Sequence, residues 1–162
     1  MQTLTQPLTK SEKIHLNLKD IAKIIREQLK KEFPKCIFSI QIQRYSMGQS
    51  LHINLMQAPF EVFDCVRTID KHGNIVNRGS AQLNHYTIMH DYDVEDGYSN
   101  GAYLTREAWV VLQRAVKLSN EYNFDESDIQ TDYFSVNFYL QLSIGKWNVA
   151  FVKKGDPKCS KL

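Results

Sequence analysis

The sequence predicts an α+β fold in which a mostly antiparallel sheet carries two amphipathic helices packed on one face. Residues 133–144 alternate strictly: the even-numbered positions from Phe134 to Ile144 are apolar, and the odd-numbered ones are polar or tyrosine. Because successive strand side chains point to opposite faces, this pattern predicts a half-buried strand. Residues 18–33 and 105–122 instead place apolar residues at helical spacing. The helices would cover the apolar face of the sheet, with the last strand at its centre.

The composition is that of one domain of ordinary size. The chain has 162 residues, of which 43% are hydrophobic and 23% charged, and its net charge is +2. These values exclude wholesale disorder and fall short of the strongly basic balance of a dedicated DNA-binding domain. With no apolar run near the ~20 residues of a membrane span and no signal pattern, we expect a cytoplasmic protein without membrane contact. The expected organisation is a flexible arm (1–16), one α+β domain (17–152) and a basic tail (153–162).

The first helix is predicted between Asn17, a favourable N-cap, and Pro34, which forces the preceding residue out of helical geometry. Asp20 lies in the first turn, where the helix dipole favours negative charge. Its apolar stripe consists of Leu18, Ile21, Ile24, Ile25, Leu29 and Phe33. This regular spacing indicates a helix with one buried face.

Two alternating segments, 36–43 and 51–56, follow this helix and predict a hairpin. The intervening residues 44–50 contain Gly48 and indicate a loop longer than a two-residue turn. Such a loop would project Arg44, Tyr45 and Gln49. We interpret these three side chains as candidate partner contacts.

The middle of the chain carries weaker patterns. Pro59 predicts a short helix over 59–66, and short strands are predicted at 66–69 and 75–77 around a turn at 72–74. Residues 84–100 indicate a loop with one short strand at 86–89. Thr105 then caps the second helix. An acidic connection over 120–132 leads into the final strand.

The pattern of chemically reactive side chains predicts no enzyme, metal or cofactor. Residues 90–97 resemble a calcium loop, but Asp96 and Ala102 stand where the tight-turn glycine and the closing glutamate belong. No standard metal-ligand spacing accompanies His85, His90 and Asp91. The three cysteines fit no zinc pattern, and nucleophile and phosphate-loop motifs are absent. A metal protein centred on His85, His90 and the acidic loop remains the open alternative.

Basic and aromatic residues favour a second interpretation, nucleic-acid binding. The outer face of the first predicted helix carries four cations, Lys19, Lys23, Arg26 and Lys30. Tyr133 and Tyr139 lie on the polar side of the last strand, where they can stack on bases. Acidic residues such as Glu27 and Glu32 dilute this positive charge.

Two segments, 38–55 and 125–147, resemble the large polyvalent protein-associated domains. In the first, Phe33-Pro34 precedes a strand ending in Arg44-Tyr45-Ser46, and Ser50-Leu51-His52-Ile53 follows a glycine-containing loop. The second contains the run 128–134 and Asn137-Phe138-Tyr139. The resemblance implies a setting in phages or conjugative elements and an accessory role. It transfers no catalytic residues.

The residues and the resemblance together predict a non-enzymatic interaction module that binds a protein or nucleoprotein partner, with blocking of a host defence complex as one version. The expected contacts are Arg44, Tyr45, Gln49, Tyr133 and Tyr139. The alternative is an accessory protein that binds nucleic acid through Lys19, Lys23, Arg26 and Lys30. An exposed strand edge leaves homodimer formation open.

Overall fold

The computed structural model describes residues 9, 16–64, 72, 79–92, 98–99, 102–128, 130–131 and 135–154. The helices of this part of the chain are α1 (Leu18–Glu32), α2 (His85–Ile88) and α3 (Arg106–Asn120). Its strands are β1 (Ile37–Tyr45), β2 (Gly48–Ala58), β3 (Ala81–Leu83), β4 (Tyr98–Ser99), β5 (Ala102–Tyr103), β6 (Tyr139–Ile144) and β7 (Val152–Lys153). The predicted α+β class is confirmed.

The main sheet is mixed. Its strand order is β1-β2-β6-β3, and β7 pairs with the end of β2. The β1–β2 and β3–β6 pairs are antiparallel, whereas β2 pairs in parallel with both β6 and β7. The parallel β2–β6 pair needs a long crossover, which contains α2 and α3. As predicted, β6 lies inside the sheet, between β2 and β3.

The core lies between the apolar face of the sheet and the two long helices. Alternate residues of β2 and β6 are buried on this face, and the buried stripes of α1 and α3 belong to the same apolar cluster. The most deeply buried members include Ile21, Ile25, Leu29, Leu51, Ile53, Leu55, Leu112, Leu142 and Ile144. Since α1 also contacts α3, the two helices form one layer on one face.

Both long helices begin at the predicted N-caps. The Asn17 carboxamide oxygen accepts a hydrogen bond from the Asp20 backbone N–H at 3.0 Å. The Thr105 hydroxyl accepts one from the Ala108 N–H at 3.3 Å. Helix α1 ends before Pro34, with the Phe33 N–H bonded to the Leu29 carbonyl. Local capping chemistry therefore fixes the positions of both helices.

The hairpin loop is shorter than predicted. Tyr45 pairs directly with Gly48, which leaves Ser46 and Met47 as a two-residue turn. β1 and β2 include Arg44, Tyr45 and Gln49, which were predicted to lie in a projecting loop. Backbone pairing between the two strands continues up to the turn.

The final strand is also shorter than the alternation predicted. β6 begins at Tyr139, and residues 132–134 lie outside the described residues. Val136 forms a bridge with Asp125, and the Asn137 N–H bonds to the Phe124 carbonyl. Val136 and Asn137 thus pair through their backbone with the acidic connection, ahead of the first residue of β6.

Two weaker predictions in the middle of the chain are wrong. Residues 86–89 belong mainly to helix α2, which starts because the Asn84 side chain accepts a hydrogen bond from the Tyr86 N–H. Pro59 starts no helix in the described residues: Val62 accepts a bond from the Thr105 N–H, and Phe63 bridges Leu104. The predicted strands at 66–69 and 75–77 lie outside the described residues.

The predicted domain boundaries fall close to ordered contacts. Leu16, in the predicted arm, packs partly buried against the core. Lys153, the first residue of the predicted tail, lies in β7, and its ammonium group is 2.7 Å from the Glu61 carboxylate. None of the helices in the described part of the chain combines the length and apolarity needed to cross a membrane.

Removing the side chain of Leu142 should cost roughly 2–5 kcal/mol of unfolding free energy, because a cavity would form in the buried centre of the sheet. Leu142 is fully buried and pairs with both Ile53 and Leu83. Urea denaturation of Leu142→Ala measures the loss. Gln141→Ala is the matched control: this neighbour is exposed, and we expect a change under about 1 kcal/mol. Equal losses in the two variants would contradict the assignment of sheet faces.

A bidentate ion pair joins the end of α1 to α3. The Arg114 guanidinium donates to both Glu32 carboxylate oxygens, at 2.7 and 2.8 Å. These bonds, with a further one from Gln28, lower the pKa of Glu32 from 4.5 to about 2. A carboxyl group whose pKa is lowered by folding stabilises the fold at pH values above its pKa in the unfolded chain. This stabilisation is lost as the pH falls through the pKa of the folded state.

Replacing Glu32 with Gln should therefore cost about 1 kcal/mol at pH 7, a value that allows for the partial exposure of the pair. The difference between wild type and Glu32→Gln should shrink as pH falls from 4.5 towards 2. Urea denaturation at pH 7 and at pH 3 measures it, with Glu27→Gln, an exposed position on the same helix, as control. A difference independent of pH would show that the ion pair is not its source.

Candidate functional site

The register of the strands gathers uncharged polar side chains on the sheet face opposite the helices. Gln41 pairs with His52, and His52 with Gln141. In the next row Asn54 pairs with Ser143 and Ser143 with Gln82. We name this surface the polar sheet face; it comprises Ser39, Gln41, Gln43, Ser50, His52, Asn54, Gln82, Tyr139, Gln141 and Ser143.

Some of these polar groups bond to one another, and others point outward. The Ser50 hydroxyl lies 2.9 Å from His52 Nε2, and the Asn54 carboxamide donates to the Ser39 carbonyl at 3.2 Å. Burial lowers the pKa of His52 from its ordinary value, which favours the neutral ring. Gln41 and Gln141 are exposed. The face therefore presents neutral donors and acceptors.

Trp147 stands at one end of this face. A cleft of about 510 Å³ is lined by side chains of the polar sheet face together with Lys146 and Trp147. The Trp147 side chain is 99% exposed, which is a large apolar surface to leave in water. Sequence reasoning missed this residue, because a tryptophan in a turn belongs to no periodic pattern.

The turn that carries Trp147 is held firmly. The N–H groups of Lys146 and Val149 each bond to the other residue's carbonyl, at 2.7 and 3.3 Å. Gly145 has a φ of +64°, and a Cβ there would come within 2.4 Å of the Gly79 carbonyl oxygen. That same carbonyl accepts a bond from the Phe151 N–H at 2.6 Å. Trp147 is thus presented from a fixed backbone.

Two predicted contact residues, Tyr45 and Tyr139, meet at the other end of the polar sheet face. Their rings stand over Gly48: a Cβ at that glycine would lie 3.1 Å from the Tyr45 ring and 3.5 Å from the Tyr139 ring. The two tyrosines are 46% and 47% exposed. The absence of a side chain at Gly48 lets both rings pack close to the strand.

The other predicted partner contacts do not join them. Strand alternation directs Arg44 and Gln49 to the helix side of the sheet, opposite Tyr45. The Gln49 carboxamide donates to the Asn137 carbonyl at 2.9 Å, which gives it a structural role. Tyr133 lies outside the described residues.

The basic residues of α1 form a separate surface. Lys19, Lys23, Arg26 and Lys30 are all exposed on the side of the helix away from its buried stripe. The Arg26 guanidinium donates to the Ile40 carbonyl of β1 at 3.2 Å, so this cation ties the helix to the sheet. Asp20 and Glu27 are exposed on the same helix.

The residues considered for metal or nucleophilic chemistry are not brought together in the described part of the chain. No three of its His, Cys, Asp and Glu side chains are grouped closely enough to hold a metal ion. Residues 93–97 of the acidic loop lie outside that part. Burial raises the pKa of the Cys36 thiol and lowers the pKa of His85.

Asn123 positions the start of β6. Its carboxamide donates to the Phe138 carbonyl at 2.9 Å and accepts from the Phe138 N–H at 3.2 Å. The Asn137 side chain donates to the Tyr122 carbonyl at 3.0 Å. The loop after α3 thus makes the hydrogen bonds that a neighbouring strand would otherwise make with Phe138. Sequence periodicity does not predict this role of Asn123.

The sequence of residues 16–108 also matches a known family. A sequence model described as large polyvalent protein associated domain 29 matches residues 16–108, more than half of the chain. The chain belongs to this family. The match contains the resembling segment 38–55, whereas the segment 125–147 lies outside it. No curated protein and no solved structure matches the chain.

The polar sheet face of this domain 29 member combines matched and unmatched parts. Its residues on β1, β2 and β3 fall inside the family match, and those on β6 fall after its end at Ala108. Trp147 also lies outside the match. The family match therefore assigns the domain to its family and leaves the chemistry of the face to its own residues.

Replacing Asn123 with Ala should cost roughly 1–3 kcal/mol for each backbone group of Phe138 that loses its partner. Phe138 is almost fully buried, so water cannot easily replace the hydrogen bonds that Asn123 makes to its backbone. Urea denaturation measures the loss. Asn120→Ala, at an exposed position on α3, is the control and should change stability by less than about 0.5 kcal/mol. Equal stability of the two variants would contradict the positioning role of Asn123.

Proposed function

We propose that this protein is a non-enzymatic interaction module of mobile-element origin that binds a protein partner, alone or in a nucleoprotein complex, through the polar sheet face. The family supports the setting. Because such elements encounter host defences, a host defence complex is one concrete partner class.

The exposure of Trp147 carries the proposal. Its indole is 99% exposed on a turn whose backbone is fixed by hydrogen bonds and two close-packed glycines. Binding hot spots are enriched in tryptophan and tyrosine, and a rigid anchor loses little entropy on binding. Tyr45 and Tyr139 add a second aromatic anchor at the far end of the same face.

The charge of the face favours a protein partner over nucleic acid. Among the described residues that line the cleft beside Trp147, one is a cation, Lys146, and the other side chains are neutral. Nucleic-acid affinity depends on neutralising several phosphates with lysine or arginine. Neutral amides and an imidazole suit the hydrogen-bonding groups of a protein surface.

A second candidate, nucleic-acid binding through α1, is supported by the exposure of its lysines on a surface separate from the polar sheet face. The triple variant Lys19→Ala/Lys23→Ala/Lys30→Ala tests it. Arg26 is left intact because its bond to Ile40 contributes to the fold.

We expect Trp147→Ala to lower capture of a defined host protein complex at least about tenfold, since an aromatic hot-spot residue contributes about 2 kcal/mol or more at ~1.4 kcal/mol per tenfold. The measurement is affinity capture from host lysate with the tagged full chain, with and without nuclease, followed by quantitative mass spectrometry. Val110→Ala, which removes a 53% exposed apolar side chain from α3, is the matched control.

Capture that survives nuclease, falls with Trp147→Ala and persists with Val110→Ala and with the triple lysine variant supports the proposal. Recovery of bulk nucleic acid that is lost with nuclease, weakens with salt and falls only with the triple lysine variant contradicts it. That result would assign the function to α1.

A further inference from the structure

A second cleft lies beside the start of β6, outside the part of the polar sheet face that holds Trp147. It occupies about 600 Å³ between α2, the end of α3 and the first residues of β6. Its walls include Tyr86, Met89 and Tyr139, which are 73%, 38% and 47% exposed. Exposed aromatic and apolar side chains thus converge on one concave surface.

The walls of this cleft are held in place before any ligand arrives. The segment after α2 is fixed because the His90 carbonyl accepts bonds from the Trp109 indole at 3.0 Å and from the Gln113 carboxamide at 2.8 Å. The ring of His85 lies 4.1 Å from that of Tyr86, centroid to centroid. A preformed wall reduces the ordering cost of binding.

The backbone of β6 reaches into the cleft. β3 ends at Leu83, opposite Leu142, so it stops two residues short of Leu140. The Gly145 N–H bonds to Leu55 on β2, whereas both backbone groups of Phe138 bond to Asn123 on the other side. Because strand N–H and C=O groups alternate in direction, those of Leu140 face the cleft side of β6. Leu140 itself is 7% exposed, so this part of β6 forms a wall of the cleft.

The charge of the cleft selects its ligand. Asp125 is the only acidic side chain in the described lining, and neither lysine nor arginine lines it. Hydrogen bonds from Ser127 lower the pKa of Asp125, which keeps the carboxylate ionised at neutral pH. Two further acidic residues near Asp125 in sequence, Glu126 and Asp128, are both exposed. A carboxylate that lines the same cleft as aromatic rings attracts a cation that can also stack on those rings.

We propose that this cleft binds an arginine side chain of a partner peptide segment, with the guanidinium on the rings of Tyr86 and Tyr139 and paired with Asp125. Arginine fits better than lysine because its planar, weakly hydrated guanidinium stacks on aromatic faces and pairs with carboxylates through two bonds. The site shares Tyr139 with the polar sheet face but does not include Trp147, and it does not depend on the function proposed above.

The test is an NMR titration of the ¹⁵N-labelled full chain with the blocked tripeptide acetyl-Ala-Arg-Ala-amide and with its citrulline analogue, which is neutral but nearly isosteric. We expect saturable shifts of the Tyr86, Asp125 and Leu140 amides, with the arginine peptide bound about tenfold more tightly. Asp125→Asn should remove this preference while its retained oxygen still accepts the Ser127 N–H bond. Tyr86→Ala should weaken binding of both peptides.

Trp147→Ala is the control that separates this site from the polar sheet face, and it should leave the titration unchanged. Equal affinity for the arginine and citrulline peptides, or an arginine preference that survives Asp125→Asn, would overturn the proposal. A lack of saturable shifts around the cleft would overturn it as well. None of these outcomes bears on capture through Trp147, so the two proposals fail separately.

Discussion

The parallel pairing of β2 with β6 is the constraint on which the rest of the structure depends. Its register sets Ile53 beside Leu142 and His52 beside Gln141, so that two strands far apart in sequence share one apolar and one polar face. A slip of one residue would bury Gln141 and expose Leu142, because strand side chains alternate with a period of two. The core and the polar sheet face are therefore two results of one register.

Side chains at both ends of β6 maintain this register. Asn123 binds both backbone groups of Phe138 just before the strand, and Gln49 reaches from β2 to the Asn137 carbonyl. At the other end, the Gly145 N–H bonds to the Leu55 carbonyl of β2. The turn with Trp147 follows at once, so the contacts that fix the register also place the exposed indole.

The sequence predicts the parts of this fold that local chemistry determines. Helices α1 and α3 were predictable because an N-cap and an apolar stripe act within a few residues. The start of β6 was not, because extended residues such as Val136 alternate whether they pair with the main sheet or with Asp125. Of the candidate site, Tyr139 was predictable from strand alternation, whereas Tyr45 was predicted in a projecting loop and lies in β1. The placement of Trp147 was not predictable, because its turn is held by contacts of Gly145 and Phe151 with Gly79, a residue distant in sequence.

The central claim is that the polar sheet face is the contact surface of this family member. Site-specific photo-crosslinking in host cells tests it most directly, with p-benzoyl-phenylalanine placed at Gln141 on that face or at the exposed Val110 on α3. The account predicts a discrete protein adduct from position 141 and none from position 110. An adduct from position 110 alone, or equal adducts from both positions, would contradict it.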